Sequence, residues 1–262
     1  NARTGRCVRA ILPVHIMGLS CAMDRIVELA RRYHLRIVED AAAAIGVRYQ
    51  GRHAGTFGDL GVLSFNGNKL LTMGGGGTVL TQDRALADYA RYLITQARND
   101  EPEHIHNEVG YNYRLSSLQA ALGVAQLEQI EVFIAKKRAI ARAYHEAFQE
   151  LDGLTLMPSP PQTEATYWLY TFLLPSDTTL AQRKAFVRLL KERGISARSL
   201  WHPLYALPSY QDCQAFRIEH AMDLYVRSVS LPSSVGLGED DLQRCIVAVK
   251  HLLMSGSYLS RP

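Results

Sequence analysis

Two residues of complementary chemistry stand where a sheet would bring them together. The run LRIVED stays apolar and β-branched until Glu39 and Asp40 close it, and GVLSFN (residues 61–66) is a second such run that leads into a turn carrying Lys69. An acid closing one strand and an amine just past the end of another meet at the carboxyl edge of an open α/β sheet, where ligands usually bind. Spacing alone allows two outcomes. A carboxylate and an ammonium can form a plain ion pair, which at a surface is worth little. An amine held partly as the free base by burial can instead attack a carbonyl carbon or carry a proton. Ser64, five residues before Lys69, is a lone strand serine that reads as structural by itself.

The elements that must position these residues follow from the hydrophobic pattern. VRAILPV (8–14) reads as a short buried strand, with Ser20 as an N-cap and Met23, Ile26, Val27 and Ala30 at helical spacing after it. Arg25, Glu28, Arg31 and Arg32 take the opposite face, and LRIVED completes a strand–helix–strand unit of parallel pairing. Asp40 can also serve as an N-cap, because AAAAI follows it. The Gly74–Gly77 run lacks the order of a phosphate loop; it allows close backbone packing beside Lys69 and leads into a strand, TVLT. Asp83–Arg98 reads as a helix. Residues 116–148 read as helical throughout, with Ile130, Phe133, Ile134, Ala141, Tyr144 and Phe148 as the apolar stripe.

MPSPPQTEA (157–165) has the composition of a linker. Beyond it come a strand, YWLYTFLL, a helix over Leu180–Arg193 stopped by Gly194, a second strand in ISARSLW, helical runs near 218–228 and 239–254, and a short strand around Val229–Leu231. The expected division is a large domain over 1–148 and a small α+β domain over 149–262.

Composition narrows the function classes. The 262 residues are 47% hydrophobic and 21% charged, enough for a sizeable core, and 29 Lys+Arg against 25 Asp+Glu give a net charge of +4 without long basic runs. Nucleic acid is not the expected partner. Neither a membrane-spanning run nor a signal-peptide core is seen, so a soluble, cytoplasmic protein is expected. Cys7, Cys21, Cys213 and Cys245 show no metal or disulfide spacing, and His104 and His106 in an acidic loop read as solvated, so no metal is expected. The chain opens at Asn1 and runs straight toward the strand pattern at Val8, as a fragment would.

The segments PVHIMG, VEDAAAAIG, YQGRHAGTFGDLGVLSFNGNK, GGGGTVLT and GYNYRLSSLQAALGVAQLEQ resemble the DegT/DnrJ/StrS sugar aminotransferases. The resemblance runs from about Arg9 to Leu237. It implies an α/β fold of the type I, aspartate-aminotransferase-like class of pyridoxal-phosphate enzymes: here a partial, mainly parallel sheet with helices and a smaller C-terminal α+β domain. SFNGNK, with YWLYTFLL, SLWHPLY and SLPSSVGL downstream, resembles the branch that aminates a UDP-linked 4-keto-6-deoxy-N-acetylhexosamine for bacillosamine or legionaminic acid.

The resemblance assigns roles. Lys69 matches the lysine that binds pyridoxal 5'-phosphate covalently and moves the proton. Asp40 matches the carboxylate that pairs with the pyridine nitrogen, and Ser64 the hydroxyl on the cofactor phosphate. Asn112 and Arg114 in GYNYR match residues that cross a homodimer interface to the partner's phosphate; without the resemblance they read as a helix-entry loop. The implied reaction is amino transfer, from glutamate, to a keto sugar nucleotide. Lys69 argues against the family's dehydratase variant, which has His there.

Two departures stand against this. Ala43 occupies the position where the family places Gln or Glu near the cofactor's phenolic oxygen, and the family's phosphate cradle and ring-stacking aromatic precede the point matching Asn1. These keep open a different class, a non-catalytic or truncated paralogue that binds sugar nucleotide or regulates. His15 and His202 lie in segments that border the sugar pocket in relatives, and each is as readily a packed or solvent-facing histidine.

Overall fold

The computed structural model describes residues 1–99 and 102–259. The chain forms two compact units: Val8–Ala135 with Pro160–Trp168, and Lys136–Ser159 with Leu169–Pro262 and Asn1–Cys7. These interleave along the sequence, whereas the sequence reading places one cut at 148/149.

The first unit is built on a four-stranded sheet of β1 (Ala10–Ile11), β2 (Arg36–Asp40), β5 (Leu60–Ser64) and β6 (Gly77–Leu80), in the order β1-β2-β5-β6. The first three run parallel and β6 is antiparallel to β5. Helix α1 (Met23–Tyr33) connects β1 to β2, burying Met23 and Ala30 against Ile37 and Tyr49. Its N-cap is Ala22, not the expected Ser20, whose hydroxyl is bonded to the Cys21 carbonyl. The expected strand over 8–14 shrinks to β1 and a bridge from Val14 to Asp40.

A hairpin absent from the sequence reading, β3 (Arg48–Tyr49) and β4 (Arg52–His53), lies between β2 and β5. Its two-residue turn has φ +49° at Gln50 and +78° at Gly51, the left-handed pair that matches strand twist. The linker-like stretch supplies β7 (Thr163–Glu164), antiparallel to β3, and Gln162 Oε1 accepts the Tyr49 hydroxyl at 2.7 Å. That segment is pinned to the unit rather than spacing it.

Helix α2 (Arg84–Ile94) starts at Asp83, whose carboxylate accepts the Ala85 and Leu86 amides. The helix expected over 116–148 is two, α3 (Ser117–Leu127), opened by a Ser116–Gln119 capping box, and α4 (Ile130–Phe148). The break lets Ile130 pack against the cluster of Ile45, Phe65, Leu71 and Met73.

The second unit pairs β8 (Tyr170–Leu173) with β9 (Ser228–Leu231) and carries α5 (Leu180–Glu192), α6 (Ala221–Arg227) and α7 (Glu239–Ser255). The expected strand in ISARSLW is reduced to a single bridge, Arg198 to Ser230.

Candidate active site

Asp40 ends β2 with its backbone locked. Its N–H donates to the Pro13 carbonyl at 2.9 Å and its carbonyl accepts the His15 N–H at 2.9 Å, while Ala41 N–H reaches the Val62 carbonyl of β5 at 3.0 Å. The half-buried carboxylate accepts the Ala42 amide at 3.0 Å. This caps a turn and not the helix that AAAAI suggested. The other oxygen, Oδ2, has no hydrogen-bond partner among the described residues.

The neighbouring Glu39 points to the other face of the strand and is wholly buried. Its carboxylate accepts the Gly58 amide at 2.6 Å, the Gly55 amide at 2.8 Å and His15 Nε2–H at 3.0 Å. Burial works to raise its pKa, but His15 and the two amides hold it below the usual carboxylate range. His15 Nδ1 accepts the Cys21 amide at 3.1 Å, so the proton belongs on Nε2, facing Glu39. His15 is therefore a packed strut that ties the 13–21 loop to the strand end.

Lys69 sits in the turn after β5, where its N–H donates to the Asn66 carbonyl at 3.0 Å. Its side chain is half-buried, and the ammonium lies 4.1 Å from the centroid of the Trp168 ring. Burial pushes the amine below the usual lysine range, and the Asp40 charge pulls it partly back up. The acid and the amine thus feel each other, yet Lys69 forms no direct ion pair among the described residues. The plain ion pair that spacing allowed is not what forms.

Ser64 is the last residue of β5, paired with Gly77. Its oxygen accepts the Asn66 amide at 3.4 Å, and its own proton has no acceptor among the described residues. Asn112 forms a bridge with Thr95. Arg114 is exposed and lines an open groove of about 1200 Å³ with Leu63, Gly77, Thr78 and Tyr113. The fold brings Asp40 and Lys69 together, with Ser64 at the same sheet end; Asn112 and Arg114 lie on an exposed segment, Arg114 along the groove beside Leu63 and Gly77. Ala43 lies in the turn after Asp40 and offers no side-chain donor there. Sequence reasoning missed Trp168, which sits some hundred residues from Lys69 and reads there only as an aromatic of a strand. Among the described residues no cluster of metal-ligating side chains occurs.

An amine and a carboxylate in electrical contact but not closed on each other, beside an uncommitted hydroxyl, suit a planar ligand that has an aldehyde, a ring nitrogen and a phosphate. A model of the DegT/DnrJ/EryC1/StrS aminotransferase family matches residues 1–250. The chain belongs to that family. Among curated DegT/DnrJ/EryC1/StrS relatives, EpsN of Bacillus subtilis (strain 168) is 38% identical over 254 residues, covering 95% of this chain and 65% of its own length. GDP-perosamine synthase of Caulobacter vibrioides is 34% identical, with 94% and 66% covered. The chain thus spans just under two thirds of the length of these relatives.

Solved structures agree. PseC of Helicobacter pylori, an aminotransferase of pseudoaminic acid biosynthesis, superposes with a TM-score of 0.89 at 26% identity, covering 94% of this chain and 67% of its own. DesI, solved in the presence of its TDP-sugar product, gives 0.88 at 28% identity, with 99% and 66% covered. The fold is that of the type I pyridoxal-phosphate transferases, and pyridoxal 5'-phosphate is the cofactor of the DegT/DnrJ/EryC1/StrS aminotransferases. Lys69, Asp40 and Ser64 fit it by donor type.

Proposed function

We propose that this chain carries the catalytic core of an aminotransferase that moves an amino group from glutamate to a keto sugar nucleotide, in amino-sugar and surface-polysaccharide biosynthesis. The observation that carries this is the open Asp40–Lys69 pair at the carboxyl end of β2 and β5. The similar proteins named for GDP-perosamine synthesis, pseudoaminic acid biosynthesis and a TDP-sugar product support the substrate class.

Bound pyridoxal phosphate supplies an electrophilic carbon and a ring that spreads negative charge. The chain's residues do the rest. The Lys69 amine, kept below its ordinary pKa by burial, would hold the cofactor through its free base and, as general base and acid, would take a proton from the donor carbon and deliver it to the cofactor carbon. Asp40 would keep a proton on the pyridine nitrogen through its charge. Ser64 Oγ–H would donate to a phosphate oxygen.

The proposed functional division keeps cofactor binding on 1–148 and the small domain on 149–262, although the compact units change at Ala135/Lys136 and Pro160–Trp168 packs with the first. The working form is a homodimer in the cytoplasm. On α3 and the loop before it, Val109, Tyr113, Leu118, Val124 and Leu127 are all exposed, an apolar surface suited to a second copy. Asn112 and Arg114 would then reach the partner's phosphate, where a planar guanidinium can bind two oxygens.

Borohydride reduction of protein incubated with pyridoxal phosphate, followed by peptide mapping, tests the reading. A pyridoxyl group on Lys69, and glutamate-dependent bleaching of the visible absorbance before reduction, are the expected results. A colourless protein with no adduct at Lys69 overturns it and leaves the binding paralogue.

A further inference from the structure

The turn that carries Lys69 is held by a residue from the far end of the unit. Trp168 is 5% exposed; its indole Nε1–H donates to the Asn68 carbonyl at 2.7 Å, and the face of the same ring lies 4.1 Å from Lys69 Nζ. One side chain thus grips both the backbone just before the reactive residue and the amine itself. Its own backbone is tightly placed. Tyr167 has φ +50°, and Gly18, at φ +83°, passes so near that a Cβ there would lie 2.5 Å from the Trp168 nitrogen. Only glycine meets both demands at that position.

The amine has two attractors. Asp40 is the charged group acting on it, and the indole face draws the cation by its quadrupole. We propose that Trp168 is a positioning residue for Lys69: its ring face seats the amine in competition with Asp40, and its N–H fixes the turn that aims it. A seated amine does not collapse into a salt bridge with Asp40. The gap between acid and amine then stays open for a planar ring. This rests on reading Lys69 as the cofactor-binding lysine, because only then does the open gap have a use.

Competitive labelling of Lys69 with acetic anhydride over a range of pH, read by mass spectrometry of its peptide, measures the amine's ionisation in chain freed of cofactor. Trp168→Phe and Trp168→Leu both lose the indole N–H and much bulk, but only Phe keeps a ring face. With Asp40→Asn in both, so that a released amine has no acid there to close on, the Leu variant is expected to titrate lower than the Phe variant by about 0.4–1 pH unit, roughly 2- to 10-fold more free base below the midpoint. Equal midpoints, or a higher one in Leu, overturn the proposal.

A second measurement needs no change at Trp168. In Trp201→Phe, Trp168 is the one tryptophan left of two. Its emission should titrate with the labelling midpoint and lose that titration in Lys69→Met. Emission indifferent to pH across that midpoint overturns the proposal even if the Leu variant does not fold. Borohydride trapping at Lys69 in the unaltered chain reports separately on the reading beneath it.

Discussion

Beside Asp40 one buried cluster is made of small side chains: Ala41, Ala44, Val47 and Ala54. In the second unit, Tyr144, Phe148, Tyr170, Phe172, Phe186 and Tyr258 touch in an unbroken aromatic series, with neighbouring ring centroids between 5.1 and 6.4 Å apart. The two regions keep their shapes by different means. Rings that each bury a large area stabilise the second unit through packing. Near the site, small residues let backbones approach, and the geometry is held by main-chain bonds such as Asp40 N–H to Pro13 and by struts such as His15–Glu39 and Trp168 to Asn68. Stability and chemistry should therefore separate by region.

The sharpest break would come from Phe148→Ala, which removes a fully buried ring between Tyr144 and Phe172. It should cost about 3–5 kcal/mol in urea unfolding while leaving borohydride trapping at Lys69 intact in protein that remains folded. A small loss, or lost trapping in folded protein, would erase the distinction between the regions. Asp40→Ala is the converse. It should lower turnover by about 10²–10³-fold, like the loss of one charge-stabilising group, with a smaller effect on cofactor affinity and an unfolding midpoint near that of the unaltered chain.

A pH dependence sharpens the contrast within the second unit. Lys137 is buried, donates to the Ser233 hydroxyl at 3.1 Å, and burial pushes its amine down to about 8. The unfolded chain keeps that proton to about pH 10.4, so between these values the unfolded state binds more protons and stability rises with pH. The slope reaches at most about 1.4 kcal/mol per pH unit, and Lys137→Met should flatten it in unfolding curves taken at pH 8 and 10. The smallest effect is expected at Ala43→Gln, which adds a donor to the turn after Asp40. Its visible-absorbance titration should shift by under one pH unit with turnover retained, and an unmoved titration would mean that position does not reach the cofactor.

The strand ending in Asp40, the turn with Lys69 and the helix starts near Asp83, Ser116 and Leu180 were legible in sequence, because each is settled within a few residues. The break between α3 and α4 was not, since an apolar pattern continues through it and only the cluster under Ile130 decides where the helix bends. Nor was β7, whose Pro-rich flank reads as a spacer until β3 is there to pair with it. ISARSLW had strand composition but gained a single bridge, because strandedness depends on a partner as much as on the residues.

The sequence by itself determined the chemistry available: an acid at a strand end, an amine in the following turn, and the motifs of one enzyme family around them. Tertiary structure decided how that chemistry is held. Whether Lys69 would pair with Asp40 or stand apart depended on burial and on the Trp168 ring, a contact spanning about a hundred residues. Local patterns encode dihedral angles and faces, but the ionisation of an amine is set by everything packed against it.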